Sequence, residues 1–108
     1  MARLTSSLFV SALLRRVQGM GGFGAVLARG FSEAGAVHVE WRHRGQVGLL
    51  SPAATMDTDG ERRFARAPAS TETEITERMA SERRFDPEAW HVEIEGVDPS
   101  EVLLIVSD

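Results

Sequence analysis

The clearest alternation in the chain runs from Val37 to Arg42: Val37, Val39 and Trp41 fall on one side, His38, Glu40 and Arg42 on the other. A period of two is the pitch of a strand with one buried face. His43-Arg44-Gly45-Gln46 reads as a tight turn into a second strand, Val47 to Leu50, which Pro52 stops because proline cannot donate to a ladder. Residues 36–51 are therefore expected as a hairpin with one buried face. Trp90, Val92 and Ile94 alternate with His91, Glu93 and Glu95 in the same way. Shorter runs predict strands near 24–29 and 102–106. Residues 61–66 read as a short edge strand kept soluble by Arg62, Arg63 and Arg66.

Two segments carry helical spacing instead. Phe9, Val10, Leu13, Leu14 and Val17 recur at helical intervals near 7–18, after Ser6 or Ser7 as cap and before Gly19, Gly21 and Gly22. A strand over 8–14 is the competing reading, since that run is apolar on both faces. The second helix, near 71–84, opens on a capping box of Thr71 and Glu74 and closes on Arg83 and Arg84. Glu74 and Arg78 are spaced as an i,i+4 pair. Its apolar face is thin: Ile75, Met79, Ala80 and Phe85. Asp86-Pro87-Glu88 is a turn that can start a one-turn helix. The sum is an α+β fold. It comprises a small antiparallel sheet with strands near 24–29, 36–42, 46–50 and 90–95, one or two packed helices, and a single domain over 1–108.

Bulk properties narrow the function classes. With 108 residues there is room for one modest core, and a net charge of −4 makes nucleic acid an unexpected partner. The absence of cysteine excludes disulfides, thiolate metal sites and cysteine nucleophiles. The longest apolar runs, such as Val102 to Val106, are too short to span a bilayer, so no membrane is expected. No acidic residue precedes Glu33, whereas Arg3, Arg15, Arg16 and Arg29 do. That opening has the composition of a mitochondrial presequence, and it equally suits the first helix and strand of the fold.

Several motifs invite chemistry. Gly19-Met20-Gly21-Gly22-Phe23-Gly24 matches the dinucleotide-binding pattern, with Glu40 placed where a ribose-binding acid would stand. That pattern needs a strand before its first glycine and a long helix after its third. Arg15 to Gln18 intervene before the first glycine, and Gly30 and Gly35 break the segment after the third, so a plain loop is expected. His38 with Glu40, and His91 with Glu93 and Glu95, could together hold Zn²⁺ if their strands were neighbours; solvent-facing strand residues are the simpler expectation. Arg15 and Arg16, or Arg62, Arg63 and Arg66, could meet phosphates, but the acidic total and the lack of an aromatic platform beside them make a charged solvent face or a protected edge the expectation. Asp57 and Asp59 imitate the start of a calcium loop without its closing Glu. Trp41 and Trp90 are expected as core anchors. No nucleophile elbow occurs.

Beyond these, a longer pattern resembles a known family. Leu13-Leu14-Arg15-Arg16, Gly22-Phe23, Ala25-Val26-Leu27, Arg29-Gly30 and Ala34-Gly35-Ala36-Val37 carry the resemblance. So do Arg84-Phe85-Asp86-Pro87, Trp90 and Val92-Glu93-Ile94-Glu95. The chain is similar over about residues 3–95 to the domain of unknown function 1491, short alphaproteobacterial proteins. Phe31-Ser32 and the tail from Asp98 depart from that pattern. The resemblance carries no catalytic signature. It implies that residues 1–32 are folded structure, because bacteria have no mitochondrial import, and that the protein is cytoplasmic.

No catalytic, cofactor-binding or metal-binding residue is therefore assigned. The expected function is non-enzymatic: binding of another protein, or of a second copy, through a sheet edge or helix face. The alternative is a small-molecule, nucleotide or metal binder using Gly19–Gly24 or the His/Glu strand faces.

Overall fold

The computed structural model describes residues 4–54 and 60–107. Asp57 and Asp59 lie outside them. Among the described residues two helices and six strands form an α+β domain. Helix α1 spans Ser6–Gly19, strand β1 Phe23–Ala28, β2 Val37–His43, β3 Gln46–Pro52 and β4 Arg63–Arg66. Helix α2 spans Glu72–Phe85, β5 Trp90–Glu95 and β6 Leu104–Ile105, the last preceded by a 3₁₀ turn over Pro99–Glu101. The expected strand at 102–106 is thus only two residues long.

The strand order is β1-β5-β2-β3-β4-β6. The sheet is mixed rather than antiparallel throughout, because β5 inserts parallel to β2 and β6 lies parallel to β4. The β2–β3 hairpin forms in the expected register, His43 opposite Gln46. Its two-residue turn has φ of 52° at Arg44 and 76° at Gly45, the left-handed pair that matches the strand twist. Strand β3 ends at Pro52 as expected, but it includes Ser51 and Pro52 beyond the expected Leu50, with Pro52 opposite Phe64. Nor is β4 an edge, since β6 covers it.

Helix α1 settles the competition between helix and strand at 8–14. Thr5, not Ser6 or Ser7, caps it, accepting from the Leu8 N–H at 3.2 Å. Ser6 is instead buried, where its hydroxyl donates to the Gly35 carbonyl at 2.5 Å and accepts from Arg62 at 3.1 Å. Arg62 also reaches the Leu4 carbonyl and lies over the Phe9 ring. It is thus a buried clamp on the start of α1, not a solubilising charge. Val10, Leu13 and Val17 pack on one face of the sheet against Val37, Val39, Leu50, Phe64, Trp90, Val92 and Ile94. Residues 4–32 therefore supply a helix and a strand of the common core.

Helix α2 covers the opposite face. Ile75 and Met79 meet Leu49 and Ala69 in a second, smaller core; Leu49 and its neighbour Leu50 point to opposite sides of β3. Thr71 caps the helix as expected, but the Glu74 carboxylate turns back to the Ser70 N–H at 3.0 Å. Arg78 lies 4.0 Å from Glu82 instead. Phe85 is 84% exposed and belongs to no apolar face. Asp86–Glu88 makes a turn, not a helix, with Asp86 accepting from the Glu88 N–H.

Candidate functional site

The structure brings together the His and Glu residues that the alternation placed on solvent faces. In the parallel β2–β5 pair His38 stands beside His91, Glu40 beside Glu93 and Arg42 beside Glu95. The face they share is roofed by α2, whose Glu72 pairs with Arg42. Glu82 and Asp86, at the far end of the helix, act on His38. The helix therefore runs antiparallel to β2, directly above the polar row. His38 and Glu40 are consequently buried, which corrects the expectation of a solvent face.

These groups satisfy one another. His91 Nε2 bonds Glu40 Oε1 at 2.9 Å, and His38 Nδ1 bonds the Ser51 hydroxyl at 2.8 Å. Arg42 donates to Glu40 at 3.0 Å and to Glu93 at 3.1 Å. Neighbouring strands were the condition set for a metal site, and it is met. Yet no three His, Asp or Glu groups among the described residues converge on a point that could hold an ion. The lone pairs a metal would need are engaged by an imidazole, a hydroxyl or a guanidinium. The network ties β2 to β3 and β5, and through Arg42 it also meets Glu72 of α2.

Burial holds the His38 imidazole below its ordinary 6.5; Glu82 and Asp86 oppose that effect, while His91 and Arg78 add to it. A lowered folded value means that the unfolded chain takes up the proton first. The stability is therefore complete above the unfolded value and is lost as pH falls through the folded one. Melting midpoints between about pH 7 and 5 should accordingly fall more steeply for the native chain than for His38→Gln.

The glycine-rich loop occupies the reverse of a phosphate cradle. It follows the C-terminus of α1 and leads into β1, whereas anions bind at helix N-termini. Its amides are also committed: those of Met20, Gly21 and Gly22 return to carbonyls of Arg16, Val17 and Gln18. Gly24 serves packing, since a Cβ there would lie 2.5 Å from the Leu14 side chain. Arg16 reaches the Glu101 carbonyl at 2.9 Å and ties α1 to the C-terminal turn.

The two tryptophans part company. Trp90 is buried, donates to the Phe31 carbonyl at 2.9 Å and lies under Arg29. Trp41 is half-buried, its indole laid across Gly48, where a Cβ would come within 2.6 Å of the ring. It lines a recess of ≈ 350 Å³ with His43, Arg44, Gln46, Arg66, Asp98 and Pro99. This corrects the reading that Arg66 has no aromatic neighbour. Sequence spacing missed the grouping because its members come from β2, the hairpin turn, the start of β3, β4 and the C-terminal turn. The nearest local signal was the arginine in a turn that favours Asn or Gly.

At the sheet margins, β6 is two residues long, whereas β1 offers six residues, Phe-Gly-Ala-Val-Leu-Ala, without a charge. Among the described residues β1 pairs only with β5. Phe23 and Leu27 on it are 55% and 49% exposed.

These features define a small α+β domain with one helix on each face of a mixed sheet and, among the described residues, no assembled catalytic constellation. The chain matches the family described as "Protein of unknown function (DUF1491)" over residues 4–104, and it belongs to that family. It is similar to protein Atu0922 from A. tumefaciens, known from a solution structure, with 41% identity, a TM-score of 0.86 and coverage of 98% of this chain and 97% of that one. A DUF1491 family protein from Caulobacter crescentus CB15, known from a crystal structure, is 33% identical with a TM-score of 0.81, over 95% of this chain and 99% of that one. An NMR structure of a DUF1491 family protein from the same organism gives 32% identity and a TM-score of 0.82 over 98% and 99%. No curated protein matches the chain. No helix among the described residues is long and apolar enough to cross a membrane.

Proposed function

We propose that the protein is a non-enzymatic, cytoplasmic protein-interaction module that takes up a strand from another polypeptide, or from a second copy of itself, along β1. The observation that carries this reading is the uncharged β1 edge with Phe23 and Leu27 exposed along it. Edge strands present a row of unpaired backbone donors and acceptors, and most proteins blunt them with charge, proline or shortness. Here β6 is blunted by shortness, and β1 carries only an irregularity between Val26 and Ala28. Strand addition draws affinity from main-chain hydrogen bonds and specificity from the flanking side chains. The polar row under α2 supports the same reading, because its groups are engaged with one another across β2, β3 and β5.

Leu27→Lys tests it. The side chain is half exposed, so the fold should keep its stability to within about 0.5 kcal/mol. A lysine on the edge should weaken association at least about tenfold. Sedimentation velocity reads self-association, and immobilised native and Leu27→Lys proteins read partner retention side by side. A monomeric native protein, with any retained partner held equally by Leu27→Lys, would overturn the proposal.

A further inference from the structure

We infer that the recess over Trp41 is a binding site for a nucleoside monophosphate, an anion joined to a flat ring. It is separate from the β1 edge and from the row under α2, and of the residues lining it only Arg66 was among the phosphate candidates in the sequence.

Three observations converge. The first is the indole itself. Trp41 lies on Gly48 and reaches the recess that Arg44, Arg66 and Pro99 also line. The ring is half-buried against the larger core and lines the recess with the part left uncovered, and an aromatic ring at a recess is a stacking surface for a base, whichever base it is. The second is charge. Arg44 and Arg66 are both exposed, and neither has an ion-pair or hydrogen-bond partner among the described residues. By contrast Arg42, one residue before His43 and the turn, is held by three carboxylates. Two guanidinium groups at one opening, neither held in a hydrogen bond or close ion pair, suit a phosphate.

The third observation is the backbone. Arg44 has φ of 52°, a conformation that glycine or asparagine adopts more cheaply than arginine. An arginine kept at a position that penalises it points to a use for its side chain.

The other lining groups complete the chemistry. One oxygen of Asp98 accepts from the Ser100 N–H at 3.0 Å and from the Ser100 hydroxyl at 2.8 Å. Those bonds hold the carboxyl below its usual range, helped by the charges of His43 and Arg44. Asp98 is thus an ionised acceptor on the recess wall, suited to a sugar hydroxyl. Gln46 and His43 provide groups for a base edge. The volume of ≈ 350 Å³ suits one nucleotide. The chain's net charge of −4 disfavours a longer polynucleotide, whose affinity comes from many phosphates.

Two indole N–H signals, one per tryptophan, make the test direct. In ¹⁵N-correlated NMR spectra of the full chain, adding AMP or GMP should move the Trp41 signal saturably while that of buried Trp90 stays in place. Arg44→Gly relieves the turn, so it should melt at the same temperature as the native protein or higher. It should nevertheless weaken binding about tenfold, and Arg66→Ala about as much. Adenosine or inorganic phosphate alone should bind more weakly than AMP. No saturable movement of Trp41 by about 10 mM nucleotide would overturn the site. So would equal shifts from inorganic phosphate, or undiminished binding by Arg44→Gly.

Discussion

A chain that begins at Glu33 is expected not to fold. Removing residues 1–32 deletes α1 and β1 together. Val10, Leu13 and Val17 are all at least 96% buried in the larger core, and each contributes about 1.5–3 kcal/mol of burial. Even after reduction for a partly collapsed unfolded state, that sum approaches the whole stability of about 5–15 kcal/mol typical of a small domain. The loss does not stop there. Phe9 stacks on Phe64 with centroids 5.8 Å apart, and Arg62 would lose both the Ser6 hydroxyl and the Leu4 carbonyl. Strand β5 would lose its antiparallel neighbour from His91 to Glu95. Circular dichroism and amide dispersion should show an unfolded or aggregated chain. A truncated protein that melted like the full one would mean that the opening is an address and not part of the domain.

Glu40→Ala should be the most damaging single change in the polar row. Glu40 binds His91 through one oxygen and Arg42 through the other, and its side chain is only 8% exposed. Removing it leaves an imidazole and part of a guanidinium beneath α2 without their acceptor. Breaking a buried pair from one side costs about 3–5 kcal/mol. Arg42 keeps Glu93 and Glu72 and is 27% exposed, which lowers the expectation to about 2–4 kcal/mol. Denaturant unfolding should show that loss in the midpoint. Glu40→Gln, which retains an acceptor oxygen, should lose less. Equal stability of Glu40→Ala and the native protein would show that water replaces the carboxylate.

These expectations depend on contacts that spacing alone leaves open. The helices were legible near their true limits because capping and periodicity are local; Thr71 and Glu74 begin α2 within one turn, whatever packs against it. The β2–β3 hairpin was legible for the same reason. What misled was the assumption that a polar strand face is a wet one. His38 and Glu40 alternate with valines as surface residues do, and only the path of α2 across β2 buries them. Arg62 misled likewise. Its cationic head reads as solvent-facing, yet the partners that bury it, Leu4 and Ser6, are more than fifty residues away.

By itself, then, the amino-acid sequence determined the α+β class, the helix near 71–84, the β2–β3 hairpin, the apolar side of the two alternating strands and the family, and it left open whether 8–14 is helix or strand. It also showed that no complete catalytic motif is present. Those are consequences of local periodicity and composition. The insertion of β5 parallel to β2, the roof of α2, the open β1 edge and the recess over Trp41 were decided only by the tertiary structure. Each depends on which strand lies beside which, and strand order is set by the joint burial of side chains from distant segments. Trp41 and Asp98 are fifty-seven positions apart along the chain, and no local pattern records that they line one recess.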